Sequence, residues 1–150
     1  MSHKKEKKSR KRYSYKYDFN KNLDKTIFIK KSLINGAGIG AFAKTHIPKG
    51  KKIGEYNGKI LNQKEYENLD DKSYVFEVTK KVNGKYYLFY IDAQKGDLLR
   101  FVNGAINDNQ KKIINVESYQ YGEKIFFKAT KNIKALQELI IDYGDNYWED

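Results

Sequence analysis

Two clusters of residues, far apart in the chain, have the types and spacing to do chemistry. The first is Gly36-Ala37-Gly38-Ile39-Gly40-Ala41-Phe42-Ala43. Glycine at this density lets backbone approach a ligand where a side chain would stand in the way. The second is Ile141-Asp142-Tyr143-Gly144-Asp145-Asn146-Tyr147-Trp148, which offers a tyrosine hydroxyl in an aromatic setting. About a hundred residues separate the two, so only folding can bring them together. Between them lie Gly54-Glu55-Tyr56-Asn57-Gly58 and Arg100-Phe101-Val102-Asn103. Cysteine is absent, which excludes disulfides and thiolate zinc sites. His3 and His46 are the two histidines, so an all-protein transition-metal centre is not expected.

Gly36, Gly38 and Ala41 also fit the dinucleotide pattern G-x-G-x-x-G/A. That fingerprint needs a helix directly behind it, with the phosphate on the helix N-terminus. Here Pro48 and Gly50 follow closely and a strand comes next, so a dinucleotide loop is not expected.

The elements that must position these groups read as short strands. Thr26–Ile29 is β-branched and aromatic, Ala41–Ala43 is a second apolar run, and Lys52–Tyr56 follows the Pro48-Lys49-Gly50 turn. Asn62 and Glu65 have the spacing of a helix start and predict a helix to about Leu69. Ser73–Thr79 alternates, with Tyr74, Phe76 and Val78 on one face. Asn83-Gly84 suits a tight hairpin turn, after which Tyr86–Ile91 returns. Asp97–Val102 predicts a short helix. Ile113–Val116 and Lys124–Phe127 flank a turn at Tyr121-Gly122, and Leu139–Ile141 is the last strand. The pattern predicts a mostly β domain of several short-stranded sheets with one or two short helices, not a parallel α/β sheet.

A chain of 150 residues fits one domain and can bury a core without staples. Residues 1–16 hold eight basic residues against Glu6, a net of +7 within the chain's +11. Residues 1–24 are therefore expected to form a basic, disordered tail ahead of a body over 25–150. Such a tail is either a solvated extension, a nuclear import signal or an arm for nucleic acid or chromatin. Tyr13, Tyr15, Tyr17 and Phe19 alternate behind it, as a strand edge or an aromatic contact surface. No apolar run approaches the ~18 residues of a membrane span. The charged N-terminus has no apolar region behind it, so a soluble, intracellular protein is expected.

Taken in order, the four segments resemble the SET-domain family of protein lysine methyltransferases over roughly residues 25–148. The resemblance implies the SET fold with a knot-like C-terminal segment, S-adenosyl-L-methionine as cofactor and a protein lysine as substrate, histone tails being the family's usual targets. It implies that Gly36, Gly38 and Ile39 pack backbone against the cofactor, with Asn103 and Gly104 as further contacts. Tyr143 matches the family's C-terminal tyrosine, whose hydroxyl lies near the point of methyl transfer. Tyr56 matches a channel tyrosine, and Tyr119 or Tyr121 is open as a third hydroxyl. Trp148 either covers the cofactor, in place of the cysteine-rich segment of many relatives, or packs on the core. The chain departs from the family at Gly104-Ala105, where many members carry His-Ser-Cys. The form here is closer to the PR branch. Two other readings stay open: a catalytically silent SET-like module that binds protein or chromatin, and a basic nucleic-acid-binding β domain.

Overall fold

The computed structural model describes residues Asp18–Asp142. These form ten strands in three sheets, joined by short helices. The first sheet pairs β1 (Ile27–Lys31) antiparallel with β2 (Ile39–Ala43), so the glycine loop is the connection of a hairpin. A strand, not a helix, follows the glycines, as the dinucleotide fingerprint forbids.

The second sheet has the order β3-β9-β8-β10-β7, with β3 at Lys52–Glu55, β7 at Asn103–Gly104, β8 at Val116–Tyr121, β9 at Lys124–Ala129 and β10 at Ile140–Asp142. β10 runs parallel to both neighbours, Ile141 pairing with Gly104 on one side and Val116 on the other. The C-terminal strand thus enters a slot between two strands laid down earlier, the knot-like arrangement expected. The third sheet, β4-β6-β5, joins β4 (Lys59–Leu61), β5 (Val75–Val82) and β6 (Lys85–Asp92). Its β5–β6 hairpin turns at Asn83-Gly84, both with positive φ (51° and 81°), the geometry of a two-residue type I′ turn.

Side chains from all three sheets meet in one core. Ile27, Ala41 and Ala43 come from the first, Val116, Phe127 and Ile141 from the second, and Phe76, Val78 and Ile91 from the third. Phe76 and Val78 lie inward on β5, as the alternation predicts.

Several boundaries differ from expectation. Helix α2 (Gln63–Glu67) carries the full capping box, Asn62 accepting from the Glu65 N–H and Glu65 from the Asn62 N–H, but it stops before Leu69. Asp97–Val102 becomes a 3-10 helix over Leu98–Phe101. The described residues contain three α-helices rather than one or two: α1 (Leu23–Thr26) and α3 (Asp108–Lys111) are additional. Each is four residues long and too short to leave a 3.6-residue period in the sequence. Ile113–Ile114 are not in a strand; β8 begins at Val116 and continues to Tyr121. The body also reaches into the stretch expected to be tail. Leu23 is buried, Phe19 packs edge-on against Phe126 at 5.0 Å, and the Asn20 amide donates to the Glu55 carbonyl at 2.9 Å. No helix among the described residues is long and apolar enough to cross a membrane.

Candidate active site

The glycine loop leaves β1 at Lys31 and rejoins β2 at Ile39. It is closed by the Ser32 N–H on the Gly38 carbonyl, 2.7 Å, and by a tight turn from the Ala37 N–H to the Ile34 carbonyl, 3.1 Å. Gly36 and Gly38 both sit at positive φ, 83° and 76°. A Cβ at either would meet nothing within 4 Å, so backbone conformation is what demands glycine there. Gly40 is glycine for a different reason: its Cβ would fall 2.3 Å from a carboxylate oxygen of Glu138.

Gly38 and Ile39 form one wall of a cavity of about 390 Å³. The remaining walls are Tyr56, residues 73–75 and residues 100–104. Five residues marked in the sequence, Gly38, Ile39, Tyr56, Asn103 and Gly104, therefore surround one space. Gly36 shapes the loop and does not line the cavity.

Asn103 lies on β7 opposite Ile140. Its Nδ2 donates to the Ile39 carbonyl at 3.2 Å and to Glu138 at 3.4 Å, so it ties the glycine loop to the C-terminal strand region. Arg100 points back along its own turn and donates to the Gly96 and Asp97 carbonyls, its guanidinium 4.3 Å from the Phe101 ring centre. It fixes the loop that carries Asn103.

Tyr56 follows β3 and is buried. Its ring packs on Phe76 at 5.2 Å and Phe127 at 5.4 Å. Its hydroxyl donates to the Tyr74 carbonyl at 2.7 Å. Tyr56 also lines a second, larger cavity of about 710 Å³, walled by Phe19, Ile60, Ile91 and Phe126 and by the β8–β9 turn. Tyr121 borders this larger space and Tyr119 stacks on Phe126 at 5.6 Å. Neither reaches the smaller cavity.

Tyr143, Tyr147 and Trp148 lie outside the described residues. The described chain ends at Asp142, one residue past the pairing of Ile141 with Gly104 on the cavity wall. Sequence reasoning missed Tyr74 and Phe101 as wall residues, whose rings meet edge-to-face at 6.1 Å. It also missed Gly40 and Glu138 as a packed pair. Phe101 stood inside the quoted Arg-Phe-Val-Asn segment, but nothing local distinguishes Tyr74 from the other aromatic strand residues.

A family profile described as the PR domain of PR domain zinc finger protein 2 matches residues 27–150. The chain belongs to the SET/PR-domain family of histone-lysine methyltransferases. The histone-lysine N-methyltransferase set-17 of Caenorhabditis elegans is 29% identical over 119 residues, covering 79% of this chain and 41% of that protein. The histone-lysine N-methyltransferase EZH2 of Chaetomium thermophilum is 31% identical over 133 residues, covering 82% of this chain and 8% of its own length. The chain thus spans less than half of the curated relatives it matches here. Among solved structures, the methyltransferase domain of human PR domain-containing protein 2 superposes with a TM-score of 0.63 at 25% identity, covering 83% of this chain and 82% of that one. A second, ctPRC2 in an autoinhibited conformation bound to S-adenosylmethionine, gives 0.62 at 27% identity, covering 81% and 15%. The SET/PR assignment accounts for the three small sheets and the slotted C-terminal strand.

Proposed function

We propose that this SET/PR chain transfers a methyl group from S-adenosyl-L-methionine to a lysine side chain of a protein, histone tails being the first substrates to test. The observation that carries this reading is the convergence of the glycine loop, Tyr56 and the Asn103-Gly104 strand on one cavity. The cavity suits the cofactor: Gly38 leaves open space where a side chain would project, and backbone from two segments of the chain forms the walls. When bound, the cofactor supplies an electrophilic methyl group. Gly38, Ile39, Asn103 and Gly104 would hold it, with Gly36 setting the loop.

The chain's own residues then have three tasks. They must hold the amine in line with the methyl carbon, because orientation supplies much of the rate. They must exclude water, which favours the neutral, nucleophilic lysine over its ammonium form. They must present electron-rich faces and lone pairs to positive charge. The Tyr56, Tyr74 and Phe101 rings serve the last two. Tyr56 is held by its bond to the Tyr74 carbonyl, so its oxygen is fixed in place as an acceptor. Tyr143, directly after the described β10, is assigned the catalytic hydroxyl by its motif, with Trp148 as a cover for the cofactor. The basic tail is assigned to chromatin or nucleic-acid contact, which goes with a nuclear location.

The missing His-Ser-Cys after Asn103 favours one competing reading, a silent module that binds protein or chromatin. The separating experiment is calorimetry with S-adenosylmethionine, followed by labelled methyl transfer to histones and to a cell lysate, with mass spectrometry of the product. Cofactor binding with a methylated lysine product is expected. Binding without turnover on any substrate would favour the silent module, and no binding would remove the cofactor assignment.

A further inference from the structure

Glu138 is a buried carboxylate with no assigned task. It sits just before β10, in an isolated antiparallel bridge with Phe42 on the edge of β2 away from β1. One carboxylate oxygen accepts from the Leu33 N–H at 2.9 Å. The other accepts from the Ser32 hydroxyl at 2.7 Å and the Asn103 amide at 3.4 Å. Ser32 in turn accepts from the Ile34 N–H at 2.9 Å. A single side chain therefore grips the first residues of the glycine loop and the amide of Asn103. Gly40 is what lets it fit, since any Cβ there would collide with the carboxylate.

The donor and acceptor pattern fixes more than position. An Asn amide presents one acceptor oxygen and one donor nitrogen, and the two ends are nearly the same shape. Asn103 faces a backbone carbonyl, that of Ile39, and the Glu138 carboxylate. A carbonyl and a carboxylate only accept. The nitrogen must therefore face them both, and the oxygen Oδ1 is turned away from them.

We propose that Glu138 is a positioning residue: it locks the Asn103 amide in one orientation and pins the glycine loop at Ser32 and Leu33, so that both reach the cofactor in a preset arrangement. This rests on the methyltransferase reading above and extends it to a residue outside the cavity wall. Glu138→Gln tests it at nearly constant shape. The Leu33 N–H still needs an oxygen, which turns the new NH2 toward Asn103, donor against donor. Asn103 then either loses this partner or flips, which sets its oxygen against the Ile39 carbonyl. No arrangement satisfies all partners, and the preset geometry is lost.

The expected result is a cofactor affinity weaker by roughly 10- to 100-fold in Glu138→Gln, with an unchanged circular dichroism spectrum. At saturating cofactor, kcat should stay within about threefold of wild type, so that the loss is in the KM for cofactor. In an Asn103→Ala background the same substitution should cost less than it does in the wild type, because one of its two routes runs through Asn103 while the loop contacts at Ser32 and Leu33 remain. Equal affinity of the wild type and Glu138→Gln, or fully additive losses in the double mutant, would overturn the proposal. If Glu138→Gln fails to fold, Ser32→Ala removes one anchor of the carboxylate and should weaken binding severalfold. Unchanged binding in Ser32→Ala would then overturn it. A wild type that binds no S-adenosylmethionine at all would instead remove the cofactor reading, and the positioning role with it.

Discussion

The two cavities that meet at Tyr56 are built from different material. The smaller is walled by the glycine loop and the Asn103-Gly104 strand, both held by hydrogen bonds to Glu138, Ile39 or Ile141. The larger is walled by side chains, among them Phe19, Ile60 and Tyr121, the last two still 56% and 75% exposed. Volume alone would choose the larger. Chemistry needs groups whose direction is set before the substrate arrives, and those groups lie around the smaller one. The difference teaches that a hollow of side chains and a cavity of hydrogen-bonded backbone can share a wall residue and still be built differently.

The sharpest way to break this distinction is Tyr143→Phe, which keeps the ring and removes the hydroxyl. Loss of one preorganised polar group of about 2–4 kcal/mol corresponds to a fall of roughly 30- to 1000-fold in single-turnover methyl transfer. Cofactor affinity should change far less. Full activity would strip Tyr143 of its catalytic assignment.

Gly38→Val comes next. A branched residue at φ 76° is strained by about 1–3 kcal/mol, and its side chain would enter the open space beside the cavity. Calorimetry should show cofactor affinity lower by roughly tenfold or more, and the strain should lower the melting temperature by several degrees without unfolding the protein at 25 °C. Intact affinity in a folded Gly38→Val protein would detach the glycine loop from the site. This is a stronger test than steric blocking alone, because the backbone conformation itself depends on glycine.

Removing residues 1–12 probes the charge outside both cavities. Turnover on a short peptide should stay within about twofold, and affinity for nucleosomes or DNA should drop severalfold at low salt, with a shallower salt dependence. A collapse of peptide turnover would make the tail part of the catalytic body.

The smallest effect is expected in the larger cavity. Ile60→Ser replaces an exposed side chain on its rim and should leave stability within about 0.5 kcal/mol and peptide turnover within about twofold. A tenfold loss of turnover would instead show that the larger cavity belongs to the site.

Local chemistry was legible wherever neighbours in sequence act on each other. Asn62 and Glu65 read as a reciprocal cap and form one. Asn83-Gly84 reads as a two-residue turn and has the positive φ values for it. The convergence of Gly38, Ile39, Tyr56, Asn103 and Gly104 was reachable through the family resemblance, since spacing alone does not say which loops meet. Glu138 was not legible. Its partners Ser32, Leu33, Gly40 and Asn103 come from two remote parts of the chain, and an isolated Glu in a strand approach reads as a solvated charge. The start of the folded body was misread for a related reason. Asn20 and Leu23 look like the end of a polar tail until Glu55, Asp97 and the core receive them.

The slotted strand β10 gives this protein an order of assembly as well as a shape. Its partners β7 and β8 both precede it in the chain, and in the sheet the two are joined only through β10. Until β10 is seated, a seam stays open beside Gly104, on the wall of the smaller cavity. Completion of that cavity wall is therefore tied to pairing between distant parts of the chain, the kind of contact that forms slowly.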